Sequence, residues 1–343
     1  MHIATQWRAA HAARLERWLG PEMVQALCHA SQGRDLEPIP IAGIPGGAFT
    51  YDGDIIGSIQ GGSFASLSDL AAEMSAGKGQ ILTFSKAGVT KVVGVAQDLW
   101  AGIGTVPPAA AVAAGLPTGT SPTNNLANFP GCLGNVNPAG GDTLHFIGAM
   151  STPSVGTNLL LLYDRFFHGN HTMTVDPRTV TGIPTRYQDA TARGNFIGMF
   201  VTTILPAATP TYTVSYIDDA GNAPEAAAAQ TIVSAAIARR FPFATTVGGG
   251  WRIPLNAGDL GVRALTNLDL SAAMASGACD VFLGKPIGWI PQPVTFQPFV
   301  VDGINSMMNL KQIVDNACLA LMEVSGGAVT ATNYNGYVIL GAG

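Results

Sequence analysis

What most constrains this chain is how few of its side chains are ionised. Of 343 residues, 17 are Lys or Arg and 22 are Asp or Glu, 11% of the whole, against about 25% in an ordinary soluble domain. A compact monomer of this size has about 13,000 Å² of surface, so one charge serves roughly 340 Å² rather than about 150 Å². Such a surface is poorly solvated and self-associates. Hydrophobic residues at 47% and a mean hydropathy of +0.28 act in the same direction. No stretch reaches the roughly 18 uninterrupted apolar residues of a membrane span; residues 196–208 are too short, and 313–322 carry Asp315. The composition therefore predicts a protein that hides much of its outside against copies of itself or other proteins, since obligate interfaces are apolar and charge-poor. An extracellular β-rich protein surfaced with Thr, Ser, Asn and Gln is the alternative, and both readings can hold together.

A net charge of −5 argues against sequence-independent nucleic-acid binding by the body of the protein. The exception is the N-terminus, where Arg8, His11, Arg14 and Arg17 recur every three residues beside Trp7, Leu15, Trp18 and Leu19. That spacing predicts an amphipathic helix, and a solvated face is weighed ahead of contact with a genome. The first twenty residues lack the basic start and 7–15-residue apolar run of a secretory signal, so synthesis in a cytoplasm is expected. Cys28, Cys132, Cys279 and Cys318 are widely separated, with no CxxC pair, and are read as free, buried thiols.

The expected fold is mainly β with α+β additions: an antiparallel sandwich or barrel core, an N-terminal helix, extended arms and a late helix. Residues 1–48 form the helix and a Pro/Gly-rich arm over 36–48. Residues 49–140 are a mixed region, with a short helix over 70–74, strands over 81–84 and 89–95, and a long Gly/Pro/Ala-rich excursion over 101–141. No Lys or Arg occurs between Lys91 and Arg165. Residues 141–284 carry the clearest strand signal, at 144–150, 158–167, 195–205, 211–217, 251–255, 262–270 and 279–283, bounded by Gly, Pro and Asp. Residues 226–240 suit either a helix or a strand. In 285–343, four prolines between 286 and 298 predict a second extended crossing, 303–324 a helix, and 337–340 a neutral terminal strand. Tyr337 and Ile339 of that strand are placed to add onto another sheet, in this chain or a neighbour's.

The chain contains no GxGxxG after a strand, no GxxxxGK[ST], HExxH or GxSxG, and no EF-hand loop, so neither an enzyme nor a cofactor is predicted. His168 and His171 lie near Asp164 and Asp176, but two histidines in a polar segment after a strand are read as surface or interface groups rather than metal ligands. Asp218 and Asp219 point to opposite faces of a strand and cannot share a calcium ion unless the turn bends them together. Because charge is scarce, Asp164 with Arg165 and Asp259 with Arg263 are singled out as pairs that hold register within the sheet or between subunits. Trp289 is marked as a contact residue.

Three phrases together carry a resemblance: Leu160 to Arg165 (LLLYDR), Tyr212 to Tyr216 (TYTVSY without its first Thr) followed by Ala220-Gly221, and Pro254 to Arg263 (PLNAGDLGVR). Spanning roughly residues 140–290, they resemble virion structural proteins of tailed bacteriophages, with the last phrase the most specific. The resemblance implies a repeated, non-enzymatic building block of the particle, located in the virion after synthesis in the host bacterial cytoplasm. Its partners would be copies of itself and other virion proteins, with no membrane. A head-shell role, capsid or capsid-decorating, is expected first, and the β-rich centre suits decoration because the long charged spine helix of a major capsid protein is not recognisable. A tail-located structural or receptor-binding protein is the alternative.

Overall fold

In the computed structural model of the protein, the residues described are 79–102, 104–109, 115–156, 158–222, 224–244, 246–302, 310–327 and 330–342. The expected N-terminal helix, the arm over 36–48, the helix over 70–74, Cys28 and the start of the late helix lie outside them.

The chain is built from antiparallel strands. In chain order they are β1 (Gly79–Ala87), β2 (Ala96–Asp98), β3 (Gly104–Val106), β4 (Leu144–Pro153), β5 (Asn158–Thr172), β6 (Arg178–Thr179), β7 (Phe196–Thr203) and β8 (Thr211–Asp218). There follow β9 (Glu225–Ala226), β10 (Gln230–Thr231), β11 (Val262–Leu270), β12 (Ala278–Gln292), β13 (Phe299–Asp302), β14 (Gln312–Ile313), β15 (Leu319–Ser325) and β16 (Asn333–Ala342). They form three sheets, ordered β13-β4-β16-β1-β3 with β14 on β4, β2-β15-β5-β12-β7, and β10-β8-β11-β6 with β9 on β8. Among the described residues the helical elements are short 3-10 turns.

Burial explains which strands the sequence announces. In β8, Tyr212, Val214 and Tyr216 alternate with half-exposed Thr and Ser, the pattern of a strand with one wet face. β5 is buried on both faces for most of its length, so it reads as an apolar run, Leu159 to Phe167, broken only by Asp164 and Arg165. Tyr163, Phe196, Phe200 and Phe282 from β5, β7 and β12 share one apolar core with Tyr212, Val214 and Leu265 from β8 and β11, which is how the second and third sheets pack face to face.

Several expectations are corrected. Within 310–324 there is no helix: Asn316 takes a left-handed φ of 59°, which ends a helix, and β15 fills the space between β2 and β5. A short run with every residue apolar cannot be assigned by periodicity. Residues 284–292 are not a crossing but the second half of β12, paired with β5 down to Gln292 opposite Asn158. Pro286 and Pro291 are tolerated there because β7 pairs with β12 only as far as Gly284, leaving the far edge with no ladder bond to lose. Residues 89–95 form a turn rather than a strand, and 251–255 contribute the single bridge Ile253 to Ile197. The undecided 226–240 segment holds the short strand β10 at its Thr-Ile-Val centre, paired with β8, and is otherwise irregular, with Ala235 and Arg239 at positive φ. β16 does not reach outward: it is flanked by β4 and β1 in its own sheet.

Residues Gln80–Gly341 form one compact unit, and strands from all three segments after residue 48 share its sheets. The 101–141 excursion packs on the same body. Its Leu116 and Cys132 belong to the core, and Leu133 donates its N–H to Leu319 at 2.8 Å.

Candidate functional site

Among the described residues nine charged side chains are buried, and five of them, Asp98, Asp164, Arg165, Asp280 and Glu323, lie on the adjoining strands β2, β5, β12 and β15. Asp164 and Arg165, neighbours in sequence, do not pair with each other. On one side Arg186 clasps Asp164 with Nη2 to Oδ1 at 2.8 Å and Nε to Oδ2 at 3.0 Å. The same carboxylate accepts from Tyr187 Oη at 3.1 Å and from the Cys318 N–H at 2.8 Å.

On the other side the Arg165 guanidinium lies between two aromatic faces, 5.2 Å from Trp100 and 4.2 Å from Phe282, and bonds Asp280. It also faces Asp98 at 3.7 Å and donates to Tyr163 Oη at 3.2 Å. The β5–β12 register slips here, Phe167 opposing Leu283 and Arg165 opposing Gly284, so Phe166 is an extra residue that swings Arg165 into this pocket. Burial pushes the Asp98 carboxyl above its ordinary range, against the pull of Arg165. Asp164 and Arg165 thus join segments within the chain, and both are wholly buried in it.

Asp259 and Arg263 do not pair either. Asp259 accepts from Tyr216 Oη at 2.5 Å, whereas Arg263 donates Nε and Nη2 to the Asp219 carbonyl at 3.1 and 2.6 Å. Asp218, Glu225 and Asp259 bring carboxylate oxygens within 4.8 Å of one another. Their oxygens are engaged by the chain: Asp218 by the Gly221 and Asn222 amides, and Glu225 by Asn256 Nδ2. Asp219 points away and accepts from Leu260 N at 3.0 Å, as adjacent strand residues must. Sequence reading found the Asp218 turn and, separately, Asp259, but missed Glu225 and the meeting of the three, which the β8–β9 and β8–β11 pairings bring about.

The histidines do not assemble with Asp164 and Asp176. His171 is bonded through Nδ1 to Tyr212 Oη and through Nε2 to the Val175 carbonyl, both at 2.9 Å, and Asp176 accepts from the Leu270 amide. His168 is a core residue packed edge-on to Trp100, neither surface nor interface. Cys132, Cys279 and Cys318 are free and buried.

Trp289 is half-buried on β12, edge-on to Trp251 at 5.5 Å. It lines a cavity of about 430 Å³ with Phe146, Arg193, Lys285 and Lys311. Tyr337 and Ile339 occupy the half-exposed face of β16, opposite buried Val338 and Leu340. Among the described residues no helix is long and apolar enough to cross a membrane.

No family model matches the chain, and no curated protein matches it. Two solved structures align over 77% of the chain: that of infectious bursal disease virus Gx strain, 9% identical over 81% of its own chain with a TM-score of 0.18, and the infectious bursal disease virus VP2 subviral particle, 7% identical over 80% with a TM-score of 0.15. Likenesses this slight carry no argument about function.

Proposed function

We propose that this chain is a non-enzymatic structural subunit of a virus particle, a head-shell component of a tailed phage acting as capsid or capsid-decorating protein. The observation that carries the reading is the fate of its scarce charges. Among the described residues nine of them are spent inside the subunit, while Ile183, Phe296, Ile81 and Ile204 stand 72%, 73%, 61% and 59% exposed. A surface so short of ions and so supplied with large apolar side chains is stabilised by cover from neighbours. The three phrases resembling tailed-phage virion proteins lie in β5, β8 and the approach to β11, which form the rigid body. The buried ion pairs give that body a single register, a device suited to a subunit that must repeat identically.

The cavity beside Trp289 favours a second reading, a tail-located adhesion protein, because an aromatic wall with three cations suits an acidic surface glycan. Trp100, at 2% exposure, takes no part in it.

Light scattering on the purified full chain and immunogold labelling of intact particles test the assignment. Oligomers and gold over the head support a shell role, and gold over the tail supports the adhesion reading. A monodisperse monomer at high concentration, absent from particles, overturns both.

A further inference from the structure

Between the first two sheets lies a second buried polar cluster, which the ion pairs above do not use. Lys91 sits in the turn between β1 and β2, Asn158 opens β5, Glu323 lies on β15 and Tyr334 on β16. Lys91 Nζ is 2.7 Å from Asn158 Oδ1, 2.5 Å from Glu323 Oε1 and 3.2 Å from Tyr334 Oη. Both members of the Lys91–Glu323 pair have fully enclosed side chains, and Asn158 is only 6% exposed. Ser325 stands opposite Asn158 in the β5–β15 ladder, so Glu323, two residues away, falls on the same face as the amide.

We propose that Lys91 and Asn158 join through an intramolecular isopeptide bond, with Glu323 as the proton carrier. A primary amine, a carboxamide and a carboxyl group are held together in an enclosed place, so the orientational cost of the encounter is met by folding. A short shift of Nζ from the carbonyl oxygen to the carbonyl carbon gives the attacking geometry. The Asn158 Nδ2 group is anchored 2.8 Å from the Val155 carbonyl, which fixes the plane of the amide.

Glu323 takes a proton from the Lys91 ammonium, and the neutral Nζ adds to Asn158 Cγ. The Cγ–Nδ2 bond then breaks. Of the three Nζ protons one stays on the new amide nitrogen, one reaches Nδ2 through Glu323 so that ammonia leaves, and one remains on the Glu323 carboxyl. No oxidant, reductant or cofactor is needed. Burial favours the uncharged forms throughout, lowering the affinity of Lys91 for its proton and raising that of Glu323. In water an amine does not displace ammonia from an amide; in this enclosure burial favours the uncharged amine, which is aligned and supplied with an acid.

The bond would tie the β1–β2 turn to the central strand of the next sheet, across 67 residues of chain. It would hold two sheets together where no backbone ladder does. This inference rests on the cluster alone and stands whether or not the chain is a virion protein.

Intact mass spectrometry of the folded, then denatured, full chain tests it. Expected is a mass about 17 Da below that of the sequence, the ammonia expelled. A tryptic digest should contain a branched peptide joining Lys91 to Asn158, with no cleavage after Lys91. Glu323→Gln keeps the shape and removes the proton carrier, so its mass should equal that of its sequence, with both peptides linear. Lys91→Arg provides a second uncross-linked control, and circular dichroism checks that each variant is folded. Folded wild type at its full sequence mass overturns the proposal, as does a loss of ammonia mapped to any site other than Asn158. A branched peptide in Glu323→Gln overturns the role of Glu323.

Discussion

Arg186 holds Asp164 by two parallel bonds, Nη2 to Oδ1 at 2.8 Å and Nε to Oδ2 at 3.0 Å, in a place closed to water. The pair joins the segment after β6 to the centre of β5, and through Asp164 Oδ1 to the Cys318 amide at the head of β15.

Asp164→Asn should leave Arg186 buried without a counter-charge and cost about 3–5 kcal/mol of stability. Urea denaturation of the purified variant measures this. A loss below about 1 kcal/mol would mean that the clasp contributes little.

Arg165 neutralises Asp280 and faces Asp98 while filling the space between Trp100 and Phe282. Arg165→Met keeps most of the volume but strands the acids, whereas Arg165→Met with Asp280→Leu removes charge from both sides. The double variant should be more stable than the sum of the single losses implies, with a coupling of about 1–3 kcal/mol. Additive losses in a four-member denaturation cycle would show that the two residues act independently.

Lys86 donates to the carbonyls of Gly102 and Pro108 from a buried position, and burial lowers its pKa from 10.5 to about 8. The folded chain therefore releases this proton near pH 8, while the unfolded chain keeps it to about 10.5. Between those values the unfolded state binds more protons, so stability rises with pH. Compared with Lys86→Met, the wild type should gain up to about 3 kcal/mol across that window. Thermal melts of both proteins at matched pH values check this, and parallel curves would contradict it.

Removing residues 334–343 takes a strand from between β4 and β1 and deletes buried Tyr334, Val338 and Leu340. At about 1.5–3 kcal/mol for each large apolar side chain, the loss is comparable to the whole stability of a typical domain. The truncated chain should be unfolded or insoluble by circular dichroism and size-exclusion chromatography. A folded truncation would restore the picture of a detachable terminal arm.

Legibility in the sequence followed burial. β8 and the end of β11 could be read because one face is wet and the other dry, which writes an alternation into the residues. β15 could not, since Leu319 to Met322 are covered on both faces and a run of apolar residues is silent about its period. The charge pairs were misread for a related reason. Asp164 and Arg165 are adjacent in a strand, which sends them to opposite sides, and their partners come from positions 186, 280 and 98. The cluster of Lys91, Asn158, Glu323 and Tyr334 had no local signal, because its members meet only after two sheets have formed.

Composition and local pattern were enough to determine a β-rich chain poor in ions and without a familiar catalytic motif, because those properties depend on residue type and near neighbours. Which strand lies beside which, which charges are buried against each other, and that the last strand closes its own sheet were decided by tertiary structure alone. Hydrogen-bonded ladders and buried ion pairs join residues tens to hundreds of positions apart, and the energy that selects one pairing over another exists only once water has been excluded between them.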